Sequence, residues 1–206
     1  MENRKHFPGF KELPWFEITE APHYREDVAS GINLPAYHWC LLGEIINAHF
    51  LGRYHVKVRD RDGVTFLVSF YHDTDEKPVT FSWTDLKPGA TLAVMYAHKK
   101  QMLDGSVGIR QEELFTVYVF NARIEVLMEE SSKVLIRRCY ECSAEENLLQ
   151  CGGCKIALYC SKDHQALSWK NSHKNLCKQF KVLKQLMNRI TTPFEERFLT
   201  FHVLAE

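Results

Sequence analysis

From residue 53 to residue 70 polar and apolar positions take turns. In RYHVKV, residues 53–58, Tyr54, Val56 and Val58 fall on one side and Arg53, His55 and Lys57 on the other. Asp62-Gly63 punctuates the run, and VTFLVSFY then sets Val64, Phe66, Val68 and Phe70 in phase. A period of two around an Asp-Gly pair predicts a hairpin with one buried face. DLKPGATLAVMYAH adds a turn and a strand, Asp104-Gly105 another turn, and VGIRQEELFTVYVF the last strands. About five strands in roughly 90 residues, with no helical period, predict a small antiparallel β-barrel.

The period changes at both ends of this region. After Ser172, read as an N-cap, His173, Leu176, Cys177, Phe180, Leu183, Leu186, Met187 and Ile190 fall on one helical stripe. Thr192-Pro193-Phe194-Glu195 reads as a second helix start, with Phe194, Phe198 and Phe201 or His202 on its buried side. Both helices are expected to pack on the neighbouring body. Residues 1–36 mix Pro8, Pro14, Pro22 and Pro35 with Phe7, Phe10, Trp15, Phe16 and Tyr24. That mix resists helix yet is too aromatic for simple disorder, so an extended strap across the barrel is expected. The fold class is α+β, with a strap at 1–36, a barrel at 37–130, a metal-binding segment at 139–177 and helices at 178–206.

Charge changes the picture by its distribution. The chain is formally neutral. Residues 1–132 carry 14 Lys and Arg against 19 Asp and Glu, residues 133–190 carry 11 against 4, and the remainder is net −2. An acidic body followed by a basic segment suits acidic partners or nucleic acid, although a solvated basic helix face has the same composition. The opening MENRKHFPGF lacks a signal-peptide core, and no apolar run approaches the roughly 18 residues of a membrane span. A cytoplasmic or nuclear address is expected, where clustered cysteines read as metal ligands rather than disulfides.

Six of the seven cysteines lie between residues 139 and 177, and the seventh, Cys40, reads as a small core hydrophobe. Cys139, Cys142, Cys151, Cys154, Cys160, His164, His173 and Cys177 make eight soft ligands, or two tetrahedral sets. Each C-x-x-C aims two sulfurs at one ion, and the Cys160/His164 and His173/Cys177 pairs each lie on one helical face. Gly152 and Gly153 sit inside the second C-x-x-C, where a turn often needs positive φ. A segment this short needs a staple, with Leu148, Leu149, Ile156, Leu158, Leu167 and Trp169 offering only a modest cluster. Two closed four-ligand zinc sites per chain leave no position for an activated water and are structural. Spacing leaves two pairings open, one sequential and one interleaved. A dithiol redox reading lacks its βαβ context.

The spacing C-x2-C-x8-C-x2-C-x5-C-x3-H-x8-H-x3-C, with YCSKDHQALSW in its second half, resembles a MYND-type zinc finger. The family carries Cys at the sixth ligand position, then Gln, then Trp four residues on; here these are His164, Gln165 and Trp169. The gap from Trp169 to His173 is one residue longer than in the commonest version. The resemblance implies the interleaved pairing, with Cys139, Cys142, Cys160 and His164 on one zinc and Cys151, Cys154, His173 and Cys177 on the other. MYND fingers of transcriptional corepressors and related scaffolds bind short proline-containing peptides, which implies contact roles for Gln165, Trp169 and, more weakly, Ser161. The strand order and the LKPG turn before the fourth strand are similar to an OB-fold.

No G-x-S-x-G, P-loop or Rossmann fingerprint is present, Gly105-Ser106-Val107-Gly108 reads as a hairpin, and Asp73-Thr74-Asp75-Glu76 as a solvated loop. The SET–MYND methyltransferases need a long chain after the finger and an Asn-His pair; 29 residues follow Cys177 and the pair is absent. The expected function is not enzymatic. It is a zinc-dependent protein-interaction module, regulatory or scaffolding, whose partner carries a proline-rich motif. The alternative is a nucleic-acid-binding regulator that uses the barrel, with Arg53, His55, Lys57, Arg59, Tyr71 and Trp83 as its groove.

Overall fold

The computed structural model describes residues 1–18, 21–28, 31–72 and 80–192. The expected helix start at residue 193, with its phenylalanines, and the acidic loop at 73–76 lie outside the described residues. A small hairpin, β1 (Tyr24–Asp27) and β2 (Ile32–Pro35), precedes a seven-stranded sheet. The sheet uses β3 (Cys40–Leu51), β4 (Arg53–Asp60), β5 (Thr65–Phe70), β6 (Thr91–Met95), β7 (Lys100–Gln101), β8 (Val107–Gln111) and β9 (Val117–Phe120), in the order β7-β8-β5-β4-β3-β6-β9. Helix α1 (Ile124–Val134) follows, so the strands end at Phe120, short of the boundary expected near residue 130.

β3, β4 and β5 form an antiparallel meander; β6 runs antiparallel beside β3, and β8 lies parallel beside β5. This connectivity is OB-like. One parallel pair interrupts the antiparallel pattern, and β7 and β9 end the sheet without hydrogen bonding to each other among the described residues. β3 is the longest strand and escaped the sequence reading. Its first six residues are all buried, so the polar-apolar alternation that betrays a strand is missing. A register shift between Ile45 and Asn47 marks where β3 leaves the core and becomes exposed for the rest of its length.

Burial on both faces explains the architecture. From one face of β3, β6 and β9, Leu41, Ile45, Leu92, Val94, Val117 and Val119 join Trp39, Val56, Val58, Phe66, Val68 and Phe70 in an inner core. The N-terminal segment closes one side of that core, with Phe10 stacked on Phe66 at 4.1 Å and 7° and its N–H donated to Asp60 Oδ2 at 2.8 Å. From the opposite face, Cys40, Leu42, Ala93, Met95, Tyr118 and Phe120 enter a second core. That core is completed by α1 and by a C-terminal helix that carries Leu176, Phe180, Leu183, Leu186 and Ile190. Cys139, Cys151, Cys154, Ala157 and Tyr159 belong to it as well, so the cysteine-rich segment and the sheet share one apolar interior.

Two polar contacts pin the C-terminal helix in register. Gln179, buried, accepts the Asn121 backbone N–H at 2.7 Å through Oε1. At the far end His38 Nε2 lies 2.9 Å from the Thr192 carbonyl while Nδ1 meets the Tyr96 hydroxyl. Burial holds the His38 pKa below its ordinary value, so the ring sits there neutral, one nitrogen donating and the other accepting.

Because Leu183 is fully buried where this helix meets the sheet, Leu183→Ala is expected to cost about 2–5 kcal/mol of unfolding free energy. Urea unfolding measures this cost. A loss below about 1 kcal/mol would place Leu183 outside any well-packed core.

Candidate metal centre

The segment after α1 is short of regular structure, and its backbone is organised by its ligands. Its elements are a hairpin of β10 (Leu149–Gln150) and β11 (Leu158–Tyr159), then α2 (Lys162–Ser168), a five-residue π-turn at Trp169–His173, and α3 (Lys174–Thr191), the C-terminal helix above. Each C-x-x-C is built alike. The Ser143 N–H donates to the Cys139 carbonyl at 2.8 Å, and the Lys155 N–H to the Cys151 carbonyl at 3.1 Å. Both donors are left-handed, at φ 63° and 58°. The positive φ therefore falls on the residue after each knuckle, not on Gly152 or Gly153 as the sequence suggested. Gly153 is needed for closeness instead: a Cβ there would lie 2.8 Å from Cys177 Sγ, whereas at Gly152 it would meet nothing within 4 Å.

These turns bring the eight ligands into two groups, Cys139, Cys142, Cys160 and His164, and Cys151, Cys154, His173 and Cys177. Within each group the donor atoms lie within 4.8 Å of one another. Of the two pairings left open by spacing, this is the interleaved one. In the first group Cys142 and Cys160 sulfurs are 3.6 Å apart, and His164 Nδ1 is 3.1 Å from Cys160 and 3.8 Å from Cys139. In the second, Cys151 and Cys177 are 3.9 Å apart, and His173 Nε2 is 3.2 Å from Cys151 and 3.7 Å from Cys154. A tetrahedron with Zn–S near 2.3 Å has edges of about 3.8 Å, so both sets fit zinc.

Electrostatics point the same way. Burial works against ionisation of Cys139, but the backbone N–H groups of Cys142, Cys160 and Glu141 outweigh it and bring the thiol down to about 6. Cys151 is lowered by the same balance, burial opposing and the N–H groups of Cys154 and Gly153 prevailing. Three sulfurs resist: Cys154 and Cys177 are pushed up by burial and by neighbouring sulfurs, and Cys160 by its bond with Cys142. In each cluster one thiolate is favoured while a neighbouring thiol is raised, and a central cation would relieve that repulsion. Burial also lowers His173, keeping it in the neutral form that a metal needs.

The helical ligands are placed by α2 and the π-turn. Ser161 caps α2, its hydroxyl accepting the His164 N–H at 3.2 Å, which orients the first turn carrying His164. Ser172 is not a cap, as the sequence had suggested, because helical backbone continues through it. The extra residue between Trp169 and His173 is absorbed as the π-turn, which lets His173 face the second site before α3 begins. Of the expected finger cluster, Leu149, Leu167 and Trp169 are 51%, 45% and 42% exposed. The buried side is instead Ala157 and Tyr159 with Leu176 and Phe180 of α3; the helical stripe announced the last two, but nothing local to Ala157 and Tyr159 announced that they would meet it. Trp169 lies against the His173 ring, centroids 5.7 Å apart, and Gln165 is partly exposed on α2.

Residues 139–177 are thus a cross-braced module whose two closed ligand sets leave no open coordination position, a structural rather than catalytic zinc arrangement. The family model for the MYND finger matches residues 139–177, and the segment is a MYND-type zinc finger. Egl nine homolog 1 of Mus musculus is 49% identical over 39 residues, 19% of this chain. The chain spans only 10% of that relative's length. Among solved structures, the S. pombe Stn1–Ten1 complex overlaps 44% of this chain and 61% of its own at 14% identity and a TM-score of 0.29. A replication protein A heterotrimer bound to ssDNA overlaps 44% and 68% at 6% identity and a TM-score of 0.28. Likenesses this slight bear no weight.

Elemental analysis of protein purified without chelators is expected to return two zinc ions per chain, and a reproducible value near one would remove one site. Gly153→Ala should weaken the second site selectively, since a metal-held Cys177 sulfur cannot retreat from the new methyl. Gly152→Ala should leave both sites intact. Equal zinc retention by the two variants under chelator titration would refute the close-approach argument.

Proposed function

We propose that the finger is a peptide-docking module, and that the protein acts as a regulatory or scaffold protein by binding a proline-containing segment of a partner rather than by catalysis. The observation that carries this reading is Trp169, 42% exposed yet held against the ring of the zinc ligand His173. A large aromatic fixed by a metal site but left open to water is a rigid, low-entropy anchor for a ligand. In the same module β11 pairs with β10 on one side and bridges to Cys139 on the other, so β10 is the outer strand of this small sheet. Both β10 residues are exposed. An extended, proline-rich ligand adds to such an edge and packs its rings on an aromatic. Gln165, on α2 one turn before Trp169, supplies an amide for the ligand's backbone. Ser161 contributes less, because its hydroxyl is already engaged in capping α2.

Two substitutions separate contact from scaffold. Gln165→Ala places a good helix former on a helix surface and should leave both zincs and the fold in place, while weakening peptide binding by roughly 1 kcal/mol for one lost hydrogen bond. Trp169→Ala should also retain zinc and abolish detectable peptide binding. The measurement is a proline-rich peptide library probed with two-zinc protein, followed by titration of the best binder. A library without any binder sensitive to either residue would end the docking proposal.

A further inference from the structure

The outer face of the sheet is covered over only part of its width. α1, α3 and the finger bury the outer face of β3, β6 and β9. The outward positions of β4, β5 and β8 carry a basic and aromatic surface. One rung crosses four strands, with His49 facing His55, His55 facing Ser69, and Ser69 facing Arg110. The His49 and His55 rings stack at 5.4 Å and 21°, and His55 Nδ1 meets Ser69 Oγ at 2.9 Å.

Beside this rung, two guanidinium groups converge on one phenol. The Arg53 guanidinium carbon lies 3.6 Å from the centre of the Tyr71 ring, and that of Arg110 lies 4.4 Å from the same centre. Tyr71 remains 36% exposed. The Arg110 Nε pairs with Glu112 at 2.5 Å, whereas Arg53 and Lys57 have no carboxylate partner among the described residues. Lys57 is exposed and lies two outward positions along β4 from Arg53. Two cations on one ring repel each other unless an anion joins them, and the flat groups make stacking planes.

We propose that this face binds single-stranded nucleic acid, with Arg53, Tyr71 and Arg110 supplying planes for unpaired bases and Lys57 taking phosphate. An acidic peptide satisfies the cations but supplies a flat ring only where it carries an aromatic residue, whereas every nucleotide of a single strand carries both a phosphate and an exposed base, and paired bases cannot reach the planes. The structure also revises the sequence-derived groove. Arg59 is tied to the buried Glu44 at 3.1 Å, and Trp83 stacks on Tyr54 at 4.4 Å, a residue whose side chain points away from Arg53 and Lys57 along the strand. Arg110, distant in sequence, takes their place. This surface is separate from the finger's docking edge, and its test is independent of peptide binding.

The test is fluorescence anisotropy of the whole zinc-loaded chain with labelled DNA and RNA single strands of about 20 nucleotides, enough to cover one such face. Both single strands are expected to bind, with affinity falling about tenfold or more as salt rises from about 50 to about 200 mM. Tyr71→Ala and Arg53→Ala should each weaken binding by about fivefold or more, the loss of one stacking plane. Lys57→Glu should do so without disturbing the Tyr71 stack, and all three should keep two zincs and the wild-type circular dichroism. Lys178→Ala on α3 should bind as wild type. The proposal is overturned if the wild type binds neither strand at low salt, or if binding ignores all of Arg53, Lys57 and Tyr71. Equal affinity for a duplex, or equal competition by polyglutamate, would overturn it too, the latter marking the face as a site for acidic protein.

Discussion

Eight electron-rich atoms drawn into two clusters, each less than 5 Å across, repel one another unless a cation sits among them. That constraint organises the C-terminal part of the molecule. The two knuckles, the hairpin of β10 and β11 and the first turn of α2 have few apolar contacts of their own, and three of the segment's large apolar side chains are left in water. Their conformation is stabilised by ligation, and metal binding free energy is then folding free energy. Cross-bracing makes the effect collective, because the first ion spans the second knuckle and the second ion spans the first site's Cys160/His164 pair.

α3 carries that order into the rest of the protein. Cys177 on its first turn is a ligand of the second site, while Phe180, Leu183, Leu186 and Ile190 on the same face fill the core shared with β3, β6 and β9. One rigid element therefore belongs to the metal site and to the sheet at once. The finger is oriented by packing rather than hung on a linker, so its exposed elements, β10 and Trp169, hold a fixed direction relative to the bare β4–β5–β8 face. The sheet divides its labour in the same way: strands under the finger are apolar on both faces, and those away from it are apolar on one.

Much of this was legible in the sequence. The zinc ligands could be read because metal chemistry demands particular residue types at short, regular spacings, and those survive in the one-dimensional record. The strands β4 and β5 could be read because one face is wet, which imprints a period of two. The buried stripe of α3 was visible for the corresponding reason at a period of 3.6. β3 was not, because a strand buried on both faces has no period to show. The left-handed positions at Ser143 and Lys155 were hidden as well, since neither residue advertises positive φ.

By itself, then, the sequence determined which atoms bind metal, how many ions they hold, and which faces of the alternating strands and of α3 turn inward. All of these follow from local chemistry and local periodicity. Tertiary structure alone decided the interleaved pairing on geometric grounds, the sharing of one core between finger and sheet, and the exposure of Trp169. It also brought Arg110 to Tyr71 beside Arg53. The reason is the same in each case: these features depend on which surfaces meet across long stretches of chain, and that choice is made by competing burial over the whole molecule rather than by any one segment.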